Sequence, residues 1–140
     1  MGVFKDADEL YKCIGGMMEE ARTHSQMGPK IKSSGLIIKF KYSDPESEIT
    51  IDAAKPEEGY YYNVLFGPNE MDPKVIMTMS ADIAHKFWLG KVNLTAALTR
   101  GQMKAKGPIQ EILKLLPAIK PAYTLYPEYL RKIGYGHLVE

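Results

Sequence analysis

At 140 residues, with 45% hydrophobic and 25% charged residues and a formal net charge of +1, the chain has the composition of one ordinary globular domain. Collagen-like, coiled-coil and disordered classes are excluded by that composition, and no apolar run approaches the roughly 18 residues a membrane-spanning helix needs. A basic stripe interleaved with aromatics is missing, so nucleic acid is not an expected partner.

Val3, Ala7, Leu10, Tyr11, Ile14, Met17, Met18 and Ala21 recur at spacings of three and four with charged residues between them. This predicts an amphipathic first helix. Gly15-Gly16 in its middle costs about 1 kcal/mol per Gly relative to Ala, which predicts close packing or a bend there. Gly28-Pro29 reads as a stop. Strands are predicted over residues 36–42, 48–53 and 60–66, separated by turns at Asp44-Pro45-Glu46-Ser47 and Lys55-Pro56-Glu57-Glu58-Gly59. Connections this short favour an antiparallel meander.

Residues 75–116 interlock strand, helix and turn signals. Val75-Ile76-Met77-Thr78-Met79 alternates as a strand. Ser80 is placed to cap a helix over 81–89, with Asp82 in the first turn and Gly90 at the end. Asn93 caps a second short helix that Gly101 closes. Residues 102–106 alternate again, and Gly107-Pro108 opens a helix striped by Ile109, Ile112, Leu113 and Leu116. Pro117 and Pro121 are expected to break it. The aromatic tail from Tyr123 to Ile133 is expected to end in a short helix over one end of any cavity.

Charge is uneven along the chain. Residues 1–84 carry 9 Lys or Arg against 14 Asp or Glu, a balance of −5, and residues 85–140 carry 9 against 3, a balance of +6. The basic half suits an anionic head group or a membrane surface, at about 1 kcal/mol per Lys or Arg; two solvated halves of one globule is the plainer reading. One cysteine forms no internal disulfide, which suits a reducing compartment. Charges in Phe4-Lys5-Asp6-Ala7-Asp8-Glu9 replace the apolar core of a signal peptide. Met1-Gly2 lacks the Ser or Thr that myristoylation needs at residue 6, and Leu138-Val139-Glu140 is no peroxisomal address. A cytoplasmic location is therefore expected.

Catalytic chemistry needs a positioned nucleophile, base or metal. His24, His85 and His137 fit no close-spaced ligand pattern and read as surface or capping residues, and Cys13 beside an apolar helix face reads as inert. Glu19-Glu20 and Glu57-Glu58 read as solvated faces, and Gly101 to Gly107 lacks the Gly-Lys-Ser or Gly-Lys-Thr of a phosphate loop. No cofactor, metal or catalytic set is expected, and the chain reads as non-enzymatic. What stands out is apolar matter of a flexible or aromatic kind: 8 Met, 9 Tyr, 4 Phe and 1 Trp. Such residues fill a core or line an adaptable apolar site, and composition leaves both open.

Trp88-Leu89-Gly90-Lys91, then Ala96-Ala97-Leu98 with Arg100-Gly101, then Met103-Lys104-Ala105-Lys106-Gly107 follow one another between a strand and a Leu-rich helix. In this order and spacing the chain resembles the sterol carrier protein type 2, or non-specific lipid-transfer, domain. The resemblance implies an α+β fold: a five-stranded, mostly antiparallel sheet with helices on one face, enclosing an apolar tunnel. It implies an intracellular lipid-binding or lipid-transfer protein that holds a fatty acyl, acyl thioester or isoprenoid-type ligand. By the same resemblance the walls are expected from Phe66, Met77, Met79, Phe87, Trp88, Leu89, Leu98 and Met103, with Ile112, Leu113, Leu116 and Ile119 closing the far side. Tyr123 and Tyr126 are expected as lid residues, and overfilling at Leu113 is expected to abolish binding. Transient contact with a membrane surface goes with this reading. Two rivals remain: a lipid-free dimerisation or interaction module of the same fold, and an accessory that presents a lipid substrate to a separate enzyme.

Overall fold

The alternating apolar runs pair into one five-stranded sheet in a computed structural model that describes residues 2–139. The targeting readings that used Met1 and Glu140 lie outside the described residues. The strands are β1 (Ile37–Ser43), β2 (Ser47–Asp52), β3 (Asn63–Phe66), β4 (Val75–Ser80) and β5 (Met103–Lys106). Their order is β3-β2-β1-β4-β5. The pairs β1–β2, β2–β3 and β4–β5 are antiparallel, and β1–β4 is parallel. The expected α+β class with a mostly antiparallel sheet holds.

A plain meander does not. After β3 the chain crosses behind the sheet through residues 67–74 and enters β4 beside β1. Lys39 and Thr50 lie buried on that outer face. Asn69 fastens the crossing there, donating its amide to Thr50 Oγ1 at 2.9 Å and accepting from Lys39 Nζ on its carbonyl at 3.4 Å. On the opposite, inner face the register lines up Ile38, Phe40 and Tyr42 of β1 with Ile51 and Ile49 of β2, Val75, Met77 and Met79 of β4, and Met103 of β5.

Helices cover the inner face. The first is nearly continuous: α1 (Ala7–Leu10), a π-helical stretch (Tyr11–Gly15), α2 (Gly16–Glu20) and a 3-10 turn (Ala21–Thr23). Asp6 caps it by accepting from the Glu9 amide at 2.9 Å. The two glycines in its middle serve close packing. A Cβ on Gly15 would collide with the Phe66 ring, and one on Gly16 with the Tyr129 hydroxyl.

Gly28-Pro29, read from sequence as a stop, begins a further helix, α3 (Gly28–Ser34). Proline fits a first helical turn because its missing N–H would have no partner there anyway. His24 prepares that turn, its Nδ1 accepting from the Gln26 and Met27 amides at 3.2 Å each. Ser80 and Asn93 cap α4 (Ala81–Trp88) and α5 (Leu94–Thr99) as expected, accepting from Ile83 N at 3.2 Å and Ala96 N at 2.9 Å.

The helix expected after Pro108 is two short pieces, α6 (Ile109–Leu113) and α7 (Leu116–Ile119), and Pro117 sits in the first turn of α7 without breaking it. The tail is α8 (Ala122–Lys132), with Pro121 at its N-cap and Pro127 inside it. It packs on α2 and α4, and a Lys132–Glu20 ion pair joins it to α2. The third predicted strand is shorter than expected because Tyr62 turns away from the ladder. Its hydroxyl donates to the Met18 carbonyl at 2.7 Å, and Arg22 Nε donates to the Tyr62 carbonyl at 2.8 Å.

Candidate functional site

Between the inner face and its helical cover lies an apolar cavity of about 90 Å³. Its floor is the sheet: Ile38, Phe40, Tyr42, Ile51, Met77, Met79 and Met103. Above these stand Met17 and Met18 of α2, Met27 and Ile31 at α3, Phe87 and Trp88 of α4, and Leu94 of α5. Tyr62 completes one side, and Ile112, Leu115, Leu116 and Ile119 of the α6–α7 region complete the other. Six of the chain's eight methionines are in this wall. Their unbranched thioethers re-pack at little cost, so the wall adapts to what it encloses.

The sequence-expected residues divide. Met77, Met79, Phe87, Trp88, Met103, Ile112, Leu116 and Ile119 come together around the cavity. Six others do not. Phe66 is on the inner face but at the sheet edge, 41% exposed and stacked on Tyr11 with ring centroids 4.9 Å apart. Leu89 is the C-cap of α4 and only half-buried, rotated about 100° past Trp88. Leu98 lies a turn beyond Leu94, the residue of α5 that does reach the wall. Leu113 is turned about 100° from Ile112 and packs against the core outside the wall.

Tyr123 and Tyr126, expected as lid residues, do not line the cavity, and no residue of α8 does. Tyr123 packs its ring edge-on against Phe87, centroids 6.1 Å apart, and Tyr126 is fully buried behind α4. Missed from sequence were the contributions of the first half, Met17, Met18, Met27, Ile31, Ile38, Phe40, Tyr42, Ile51 and Tyr62, and in the second half Leu94 and Leu115. The distribution of methionine was the signal that could have found three of them.

Two tyrosines stand in the wall, and their hydroxyls differ. That of Tyr62 is bonded to the Met18 carbonyl. That of Tyr42 is buried with no hydrogen-bond partner, alone in this among the described residues. Burial, followed by the nearby Tyr11, pushes its ionisation far above the ordinary phenol range, so it stays protonated and able to donate.

Two buried polar groups, Cys13 and His85, are respectively held protonated and hydrogen-bonded. Cys13 is pushed up to about 12 by burial, helped by Glu9, and is a thiol at neutral pH. His85, expected at the surface or in a cap, is instead a core residue at 4% exposure. Its Nε2 donates to the Leu138 carbonyl at 2.7 Å, which leaves Nδ1 to accept from the Tyr126 hydroxyl, also at 2.7 Å. Among the described residues no group of three His, Cys, Asp or Glu could hold a metal ion.

Burial lowers the His85 pKa from 6.5, against the opposing pull of the Leu138 carbonyl. The unfolded chain therefore takes up a proton at a higher pH than the folded one. The stability this residue contributes is whole above pH 6.5 and is lost as pH falls from there through the folded value. Thermal melts from about pH 7.5 down to about pH 5 are expected to show that loss, and His85→Gln to flatten it. An identical slope in the variant would assign the loss to other groups.

The sequence profile of the SCP-2 sterol transfer family matches residues 18–120, most of the chain and nearly all of the cavity wall. The chain belongs to this SCP-2 family. Among solved structures it is similar to the sterol carrier protein domain 2 of Helicoverpa armigera, at 23% identity and a TM-score of 0.62, covering 81% of this chain and 89% of that one. It is also similar to palmitated SCP2L2 from Aedes aegypti, at 17% identity and a TM-score of 0.51, covering 86% and 96%. A third similarity is to the inverting sec-alkylsulfatase Pisa1 from Pseudomonas sp., at 12% identity and a TM-score of 0.56. There 69% of this SCP-2 chain is covered, but it spans only 15% of the sulfatase's length. At these identities the likeness is one of fold. No curated protein matches the chain by sequence. No helix among the described residues is long and apolar enough to cross a membrane.

Proposed function

We propose that this SCP-2 chain is a cytoplasmic lipid carrier that holds a fatty acyl, acyl thioester or isoprenoid-type ligand in its cavity and performs no chemistry on it. The observation that carries the reading is the wall itself: six methionines and a ring of aliphatic and aromatic side chains around one apolar space. Burial contributes about 0.8 kcal/mol per methylene, so a palmitoyl chain gains roughly 11 kcal/mol gross. Association costs of about 4 kcal/mol or more leave micromolar affinity at best, which suits a carrier that must release its load.

The cavity of about 90 Å³ is below the roughly 300 Å³ at which small-molecule sites usually begin. Loading therefore requires the methionine wall and the short helices over it to give way, lengthening the space into a tunnel. The positive balance of the second half supports transient contact with an anionic bilayer while the ligand moves. The occupied state of His85 and the protonated state of Cys13 support a non-catalytic role.

Native mass spectrometry of freshly purified protein tests the reading. Co-purified lipid, or uptake of added palmitate by delipidated protein, is the expected result. No mass shift with any acyl, thioester or isoprenoid ligand, together with a dimer on gel filtration, would favour the lipid-free interaction module. The similarity to a small part of the much longer alkylsulfatase favours a second reading, in which the chain presents a lipid substrate to a separate catalyst. A pull-down that recovers an enzyme only when the cavity is loaded would select it.

A further inference from the structure

We propose that α3, α6 and α7 together form the face that docks on an anionic bilayer, and that α6 and α7 are the part of the wall through which the ligand passes. The second clause rests on the cavity being the lipid site. Every wall residue is buried except Phe40 on the sheet and Ile112, Leu116 and Ile119 of α6 and α7. Those last three side chains touch the cavity and the solvent at once, so the wall is thinnest there. Ile109 and Leu113 beside them are half-buried too, and neither α6 nor α7 contains a buried residue. Contiguous aliphatic side chains left half in water mark an interaction surface. The charge around them has one sign. α3 packs against α7, and residues 28–34 with 109–120 carry Lys30, Lys32, Lys114 and Lys120 against Glu111 alone, a balance of +3. All four lysines are exposed. Lys114 pairs with Glu111 at 3.4 Å, and among the described residues the other three have no carboxylate partner. An anionic bilayer answers both features, with headgroup charge for the ammonium groups and an acyl boundary just beneath for the aliphatic tips. Lys41, Lys104 and Lys106 are equally exposed, but they stand on the outer face of the sheet, away from the cavity.

The test is sedimentation with vesicles of equimolar phosphatidylcholine and phosphatidylserine, comparing wild type with two triple variants that lose the same charge. Lys30→Gln with Lys32→Gln and Lys120→Gln is expected to weaken vesicle binding about a hundredfold, since each lysine near an anionic surface contributes about fivefold. Lys41→Gln with Lys104→Gln and Lys106→Gln is expected to change it by less than about fivefold, the share of a single lysine. In solution without vesicles, both variants are expected to bind a fluorescent fatty acid as wild type does. Contact of the aliphatic side chains is read separately, by brominated phosphatidylcholine in the same vesicles: it is expected to quench a tryptophan introduced by Leu113→Trp and to spare the buried Trp88. Equal losses in the two triple variants would overturn the docking face, by showing that only net charge matters, and so would an unquenched Leu113→Trp. Failure of wild type to sediment with these vesicles would also overturn it, and would leave an acidic protein as the occupant that the lysines fit. If wild type binds vesicles through this face but takes up no fatty acid, the lipid-carrier reading and the passage through α6 and α7 fall while the docking face stands. If it takes up fatty acid and ignores the vesicles, only the docking face falls.

Discussion

Replacing Leu116 with Trp is expected to abolish fluorescent fatty-acid binding while the far-UV circular dichroism stays that of the wild type. Leu116 is in the cavity wall and only half-buried, at the start of the four-residue α7. A much larger side chain there can move outward enough to spare the fold, at a cost of about 1–3 kcal/mol for overpacking, yet it still occupies space within a cavity of about 90 Å³. Each ligand methylene it displaces forfeits about 0.8 kcal/mol; losing about four of them weakens binding by more than about a hundredfold. Leu113→Trp is the control. Leu113 is three residues away but outside the wall, so binding is expected to survive there, contrary to the sequence-based expectation. Retained binding in Leu116→Trp would show that the ligand sits elsewhere.

Gly107→Ala is expected to destabilise the protein by about 3 kcal/mol, lowering the melting temperature by about 10 °C. Gly107 follows β5 with φ at +114°, a conformation that side chains other than glycine's rarely adopt. A Cβ there would also collide with the Lys74 carbonyl oxygen and stand 3.2 Å from the Val75 Cα. Both obstacles are backbone, so no rotamer change relieves them. The junction pairs β5 with β4, the strands that carry Met103, Met77 and Met79 into the wall. A shift under about 2 °C would mean that this corner of the sheet yields more readily than its geometry implies.

Much of the second half was legible because its signals are local. Ser80 and Asn93 cap the helices they precede, and Gly90 and Gly101 adopt the positive φ expected at helix ends. Each depends only on neighbours within four residues. The parallel pairing of β1 with β4 depends on where residues 67–74 cross the sheet, and that is decided by Asn69 reaching Thr50 and Lys39, partners 19 and 30 residues away. The proline errors have one origin: Pro29 and Pro117 open turns where they were read as closing them, and the residue itself is compatible with both. The site was half-legible for a related reason. The residues that carry the family resemblance lie in the second half, while β1 and the first helix supply the facing wall. Phe66, Tyr123 and Tyr126 are large and apolar, which sequence reveals, but they are spent on packing against Tyr11, Phe87 and His85.

Part of the cover over the cavity is made of short pieces: α3 has seven residues, α6 five and α7 four. None is long enough to persist as a helix by itself, since isolated helices under about 12 residues are marginal in water. Each keeps its shape only while it rests on the greasy floor beneath. Such a hatch unlatches one panel at a time, with the strands still zipped together below it. If the cavity carries a lipid as proposed, that cargo departs at a pace set by the panels, and the sheet of strands never has to come apart to let it go.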